Sequence, residues 1–372
     1  MVGMSIFVSR PALRWLVPVA VTVAVVGGGA AARTIAASAE PSLPDRSAAQ
    51  LLVDLQTANL SGLSGTVRTS ADLGLPELPD NVGPGAPDLT GLITGSRTLR
   101  VWYSGPDKMR VALLGTLGES DIIRNGRDMW QWDSRSQQAV HRQLPADGAE
   151  PQKPGNPNLP KSPQEAADLA LKAVDPTTVV STGTNARVAG RTAYELILAP
   201  RDTASLISQV RLAVDSKQHV PLRVQVFAKG RAEPAYEVAF TQISFDRPDD
   251  AQFAFNPPPG TKVTEGTNEA PPTGAPANAA TNAEKPKVVG TGWTSVVVAK
   301  MPPADASKPA DPNRPDAGSP ANMFLERLPR VSGDWGSGRL LSGRLFSVLL
   351  TDDGRVLAGA VAPEKLYEVA RG

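Results

Sequence analysis

Between residues 66 and 263 the chain is a succession of short runs in which apolar and polar residues alternate, each cut off by Gly, Pro, Asn or Asp, ending in FAFNPPPG at residues 253–260. Side chains on a strand point to alternate faces, so these runs fit half-buried β-strands; helical apolar residues recur every three or four positions. After a first strand at 66–72, the run 98–104 puts Leu99, Val101 and Tyr103 on one face. The Gly105-Pro106 turn follows, and then Met109, Val111 and Leu113 share a face. Runs 120–124 and 128–132 flank Asn125-Gly126, a dipeptide suited to a two-residue hairpin loop, and Trp130 and Trp132 share one face of the second arm. The runs 138–144, 177–184, 193–199, 208–214, 221–228 and 235–245 continue the pattern. They align Tyr194 and Leu196 with Leu198, Val210 and Leu212 with Val214, and Leu222 and Val224 with Val226. About ten strands in hairpin order predict an antiparallel sheet, which at that size packs on a second layer or curls around a cavity.

Catalytic signals are scarce in the same stretch. The two histidines, His141 and His219, lie far apart in or beside strand runs, and the chain has no cysteine, so thiolate metal sites, disulfides and lipid attachment to an N-terminal cysteine are excluded. Asp249-Asp250 and Asp352-Asp353 stand in turn contexts, where carboxylates cap backbone N–H groups. Gly290-Thr291-Gly292 lacks the third glycine and the following helix of a dinucleotide loop. A net charge of +1 offers no footprint for nucleic acid. The reading is a binding protein, not an enzyme, with no cofactor; the alternative outside that class is a hydrolase whose site residues only folding brings together.

A chain of 372 residues exceeds one ordinary core, and 35 prolines with 33 glycines argue against a helix bundle. Residues 1–39 carry Arg10 and Arg14 before an apolar run at 15–26, three glycines and Ala37-Ser38-Ala39, the outline of an export signal cleaved after Ala39. The alternative extends the run to Ala32 as one membrane anchor with its positive flank inside. Both place the rest outside the cytoplasm. Residues 47–60 read as a helix with Leu51, Leu52, Leu55 and Leu60 near one face and Asp45 at its start. Residues 73–92 and 145–160 read as insertions, and Ser162-Pro163 opens a second helix at 164–174. These segments make up a sheet domain at 40–264. A Thr-, Asn-, Ala- and Pro-rich linker follows at 265–288, and then a small α+β unit at 289–372. That unit reads as a strand at 293–300, an insertion at 302–320, a helix at 322–328, strands 344–350 and 355–361 around Asp352-Asp353-Gly354, and a helix from Pro363.

The segments NGRDMWQWD (125–133), VAGRTAYELILAP (188–200), VDSKQHVPLRVQV (214–226) and FTQISFDRPDDAQFAFNPPPG (240–260) together resemble the LolA-like lipoprotein carrier superfamily, which includes the MucB/RseB-type regulators. The resemblance implies an α+β fold with a curved, incomplete antiparallel β-barrel covered by helices. It also implies a hydrophobic cavity for acyl chains of lipids or lipoproteins; in the regulator branch, it implies control of an anti-sigma factor. No arginine here matches the one that gates lipid in the carriers. The cavity candidates are Leu99, Val101, Tyr103, Val111, Leu113, Trp130, Trp132, Leu196, Leu198, Val210, Leu212, Val224 and Val226, and the two predicted helices are the lid candidates.

Overall fold

The structure, a computed structural model, describes residues 43–58, 60–76, 95–115, 118–144, 177–266, 286–300 and 320–372. The export segment, the helix at 164–174 and most of the segments read as insertions and linkers lie outside the described residues.

Helix α1 (Ala48–Thr57) begins two residues later than an Asp45 cap would set it. Ser47 Oγ accepts from the Gln50 N–H at 3.2 Å while the Gln50 side chain accepts from the Ser47 N–H at 2.9 Å. This reciprocal box satisfies two N-terminal donors at once, which an isolated aspartate does not.

Next come β1 (Leu63–Ala71), β2 (Gly95–Tyr103), β3 (Lys108–Leu114), β4 (Glu119–Asn125), β5 (Asp128–Asp133) and β6 (Gln138–Gln143). The series continues with β7 (Thr178–Thr182), β8 (Ala186–Val188), β9 (Arg191–Pro200), β10 (Ile207–Asp215), β11 (Pro221–Ala228), β12 (Pro234–Ser244) and β13 (Lys262–Glu265). These thirteen strands form one sheet in the order β13-β6-β5-β4-β3-β2-β1-β12-β11-β10-β9-β7, with β8 pairing beside β7 on β9. One feature corrects the expected antiparallel sheet, and a second agrees with the expected incomplete closure. Strand β13 pairs with β6 in parallel, so the sheet is mixed, and the terminal strands β13 and β7 do not pair, so it is not closed. The parallel pair arises because the chain returns from β12 past the Pro-rich 256–260 segment and so arrives at β6 from the same end.

The β4–β5 loop is Gly126-Arg127, one residue later than expected: Asn125 still pairs with Asp128, and only Gly126 has positive φ, 61°. Glycine at the first loop position suits the turn whose twist matches the arms.

The second sheet contains β14 (Lys287–Val289), β15 (Val296–Lys300), β16 (Arg330–Gly333), β17 (Gly336–Ser342), β18 (Ser347–Thr351) and β19 (Arg355–Gly359), ordered β14-β15-β19-β18-β17-β16. Helix α2 (Pro320–Arg327) precedes β16 and α3 (Pro363–Ala370) ends the chain. Val296, Leu349, Leu357 and Val361 pack beneath Leu366 and Ala370 of α3, and Trp335 stacks on Tyr367 at 5.4 Å. The run expected at 344–350 begins as a strand only at Ser347, because residues 343–346 make the turn from β17.

Both sheets belong to one compact unit, residues 46–372. The Leu206 N–H donates to the Ala360 carbonyl at 2.8 Å, Ser205 bridges to Val361, and the Trp293 indole N–H donates to Thr178 Oγ1 at 2.7 Å.

Candidate functional site

Cross-strand register assigns every side chain of the large sheet to one of two faces. On one face Ile122 opposes Val111, which opposes Val101; Leu113 opposes Leu99, which opposes Val67, which opposes Phe240. The row continues from Val238 to Val224, Leu212 and Leu196, and from Tyr236 to Val226, Val210 and Leu198. Eleven of the thirteen predicted cavity residues therefore share one apolar face. Leu99, Val101, Leu113, Leu196, Leu198, Val210, Leu212 and Val224 are buried, while Tyr103, Val111 and Val226 are half-buried. Burial of each such aliphatic side chain contributes about 1.5–3 kcal/mol, enough to fix the register. Val67, Tyr236, Val238 and Phe240 belong to the same row but were not among the predicted residues, although Tyr236, Val238 and Phe240 alternate visibly in PAYEVAF.

Helix α1 packs against β7 and β9, and its Leu51 and Leu55 are buried. The helix is short, and its charged ties run through one carboxylate. Arg46 pairs with Asp54 at 2.6 Å, and His219, at the β10–β11 turn, reaches Asp54 at 4.0 Å.

Trp130 and Trp132 are on the opposite face, since Trp130 opposes Ile123 and His141, and Trp132 opposes Asp121 and Ala139. They cannot line the same wall as the other eleven. Trp130 stacks on His141 at 4.3 Å, and Phe255 leans on both indoles at 5.2 and 6.0 Å. His141 lies between Asp128, 2.9 Å from Nε2, and Glu265, 3.0 Å from Nδ1, tying β13 to the sheet edge. This face is polar. Arg110 bonds Asp121 at 2.6 Å and stands over the Trp102 ring, which Arg100 also approaches. A period of two shows that Trp130 and Trp132 share a face; only register shows which face that is.

Asp121 is 1 % exposed, and burial pushes its carboxyl from 3.8 up to about 6, with Arg110 pulling the other way and Glu119 adding to the rise. A folded-state pKa above the unfolded one means that the folded protein binds more protons in the interval, so stability declines as pH rises between those values and levels off above about 6. Urea midpoints across that window should show this decline, and Asp121→Asn should flatten it; an unaltered slope in the variant would assign the effect to other groups.

Most strands of the apolar face and the closing FNPPPG segment lie within the stretch matched by the family profile described as the MucB/RseB N-terminal domain. The profile matches residues 96–260, somewhat less than half of the chain. The match begins within β2 and ends before β13, so α1, β1, β13 and the second sheet lie outside it. Among solved structures, the Pseudomonas aeruginosa MucA/MucB complex is similar at 16% identity over 87% of this chain and 96% of that chain, with a TM-score of 0.43. An uncharacterised conserved protein from Thermus thermophilus is similar at 12% identity over 59% and 98%, with a TM-score of 0.34. A LolA superfamily protein from Nitrosomonas europaea is similar at 13% identity over 57% and 99%, with a TM-score of 0.21. No curated protein matches the chain. No helix among the described residues is long and apolar enough to cross a membrane.

Proposed function

We propose that the apolar face of the large sheet binds acyl chains or lipidated partners outside the cytoplasm, without converting them. The observation that carries this reading is the apolar row that register lines up from β4 through β3, β2, β1, β12, β11 and β10 to β9. Register irregularities at Thr66/Val67, Ile207/Gln209, Ala213/Val214 and Val226/Phe227 increase local twist and support a sheet that curls around this face. A concave apolar site with few polar groups is what an acyl chain requires. Trp130 and Trp132 have no part in it.

The decisive experiment is mass spectrometry of an organic extract of the purified protein. Bound fatty-acyl species at near-stoichiometric yield are expected. Repeated absence of lipid from folded protein, together with failure to bind a fluorescent fatty acid, would remove the reading, and turnover in a broad hydrolase screen would remove its non-enzymatic half.

The family match favours a second reading, a MucB/RseB-like sensor that regulates an anti-sigma factor. MucB has been solved in complex with MucA, and an equivalent partner here would contact this chain in addition to lipid. Calorimetric titration with the extracytoplasmic part of an anti-sigma factor from the same organism separates the two: a carrier gives no heat, whereas a sensor binds, with an affinity that changes when lipid is present.

A further inference from the structure

Strands β17 and β18 of the second sheet pair as far as Ser342 and Ser347, leaving the four-residue tip Gly343-Arg344-Leu345-Phe346 closed by a bond from the Gly343 N–H to the Phe346 carbonyl at 2.9 Å. Hairpin tips are ordinarily polar, because they face water. This one ends in two large apolar residues. Leu345 is 9 % exposed and belongs to the same buried cluster as Val67, Leu99, Tyr236 and Val238, and Phe346 packs against that cluster. The tip is aimed there by its neighbour. The Arg344 N–H donates to the Leu73 carbonyl at 2.7 Å, and its guanidinium donates to the Asp72 carbonyl at 2.9 Å and pairs with the Asp72 carboxylate. The fit is tight, since a Cβ on Gly343 would meet Leu75 at 3.0 Å.

The second sheet does not depend on this contact. Ser205 and Leu206 hold the 360–361 segment, and Trp293 holds Thr178, at places away from the tip. The sheet that carries the four residues is therefore also tied by contacts that do not involve them.

We propose that Leu345 and Phe346 form a built-in stopper, seated at the end of the apolar face where β1 runs out at Ala71, in a position that part of a ligand's apolar chain takes when it binds. The inference rests on the reading of that face as an acyl site. Ligand and stopper exclude one another, so the coupling is reciprocal: a seated tip weakens ligand binding by the same factor by which bound ligand loosens the tip. Lipid occupancy of the first sheet is thereby reported at the surface of the second.

Two measurements test it on the full chain, with cis-parinaric acid as the probe. In the variant carrying Leu345→Ser and Phe346→Ser the probe binds about tenfold tighter than in the wild type, and Arg344→Ala, which removes the anchor but keeps both apolar side chains, tightens it by about two- to threefold. In the wild type, saturation with the probe removes hydrogen-exchange protection from the Arg344 amide while the strand amides of β17 and β18 keep theirs. Should the double variant fail to fold, Arg344→Ala and the Arg344 amide decide the matter alone. Equal affinity in wild type and variants, with the Arg344 amide still protected in the complex, overturns the stopper and leaves the acyl site standing. Absence of probe binding in every protein overturns both.

Discussion

Asp215→Ala is expected to lower stability by about 3 kcal/mol, at the lower end for breaking a buried ion pair because the Arg191 partner keeps some contact with water. Asp215 is 1 % exposed and organises the corner where β9, β10 and β11 meet. Arg191 donates to it through Nε at 2.5 Å and Nη2 at 3.1 Å, and the N–H groups of Lys217 and Gln218 donate at 3.0 and 2.7 Å. The truncation leaves a guanidinium and two turn donors without their acceptor. Burial alone would raise the Asp215 pKa, but the hydrogen bonds from Arg191, Gln218 and Lys217 outweigh it and hold the carboxyl below its ordinary value. The sign follows: the stabilisation is present at pH values above the unfolded carboxylate range and is lost as pH falls through the lower, folded-state pKa. Denaturant titrations of wild type and variant should therefore differ most near neutrality and converge in acid. A loss below about 1 kcal/mol at neutral pH would show that the corner holds without the carboxylate.

Phe253→Ala should cost about 3–5 kcal/mol, the range for deleting a buried aromatic ring. Phe253 is 1 % exposed, on a 3-10 turn (Asp250–Phe253) that Asp249 caps by accepting from the Ala251 N–H at 2.8 Å. Lys108 pairs with Asp250 at 2.8 Å, fixing the turn against β3. The ring thus pins the strap that carries Phe255 over Trp130 and Trp132. A lowered urea midpoint with an unchanged slope, together with a red shift of tryptophan emission, is the expected result. A normal midpoint would mean that the Pro-rich segment after it is held by other contacts.

Most of the strands of the large sheet were legible in the sequence because each obeys a period of two between strong turn residues. What escaped was set by contacts that no local window contains. Strand β8 went unread because its loop, Ala189-Gly190, places alanine at φ 49°, a residue that gives no turn signal. The register that puts Trp130 and Trp132 opposite Asp121 and His141 depends on how β4 and β6 align with β5. The parallel pairing of β13 involves four exposed residues with no apolar pattern. In the second sheet, the run 344–350 looked like one strand because Leu345 and Phe346 are as apolar as the strand they precede; tertiary packing, not propensity, made them a turn tip.

The central seam of the large sheet sets the order in which it can assemble. Strand β1 pairs with β12, and Thr241 Oγ1 donates to the Thr66 carbonyl across 175 residues of chain. In a chain delivered amino-terminus first, as every chain is during synthesis, β1 can zip with β2 early but must wait for almost the whole sheet before its other edge is paired. Non-local pairing of this kind slows folding, and the waiting edge is open to pairing with other chains. A protein built this way has its greatest exposure to aggregation in the interval before β12 arrives.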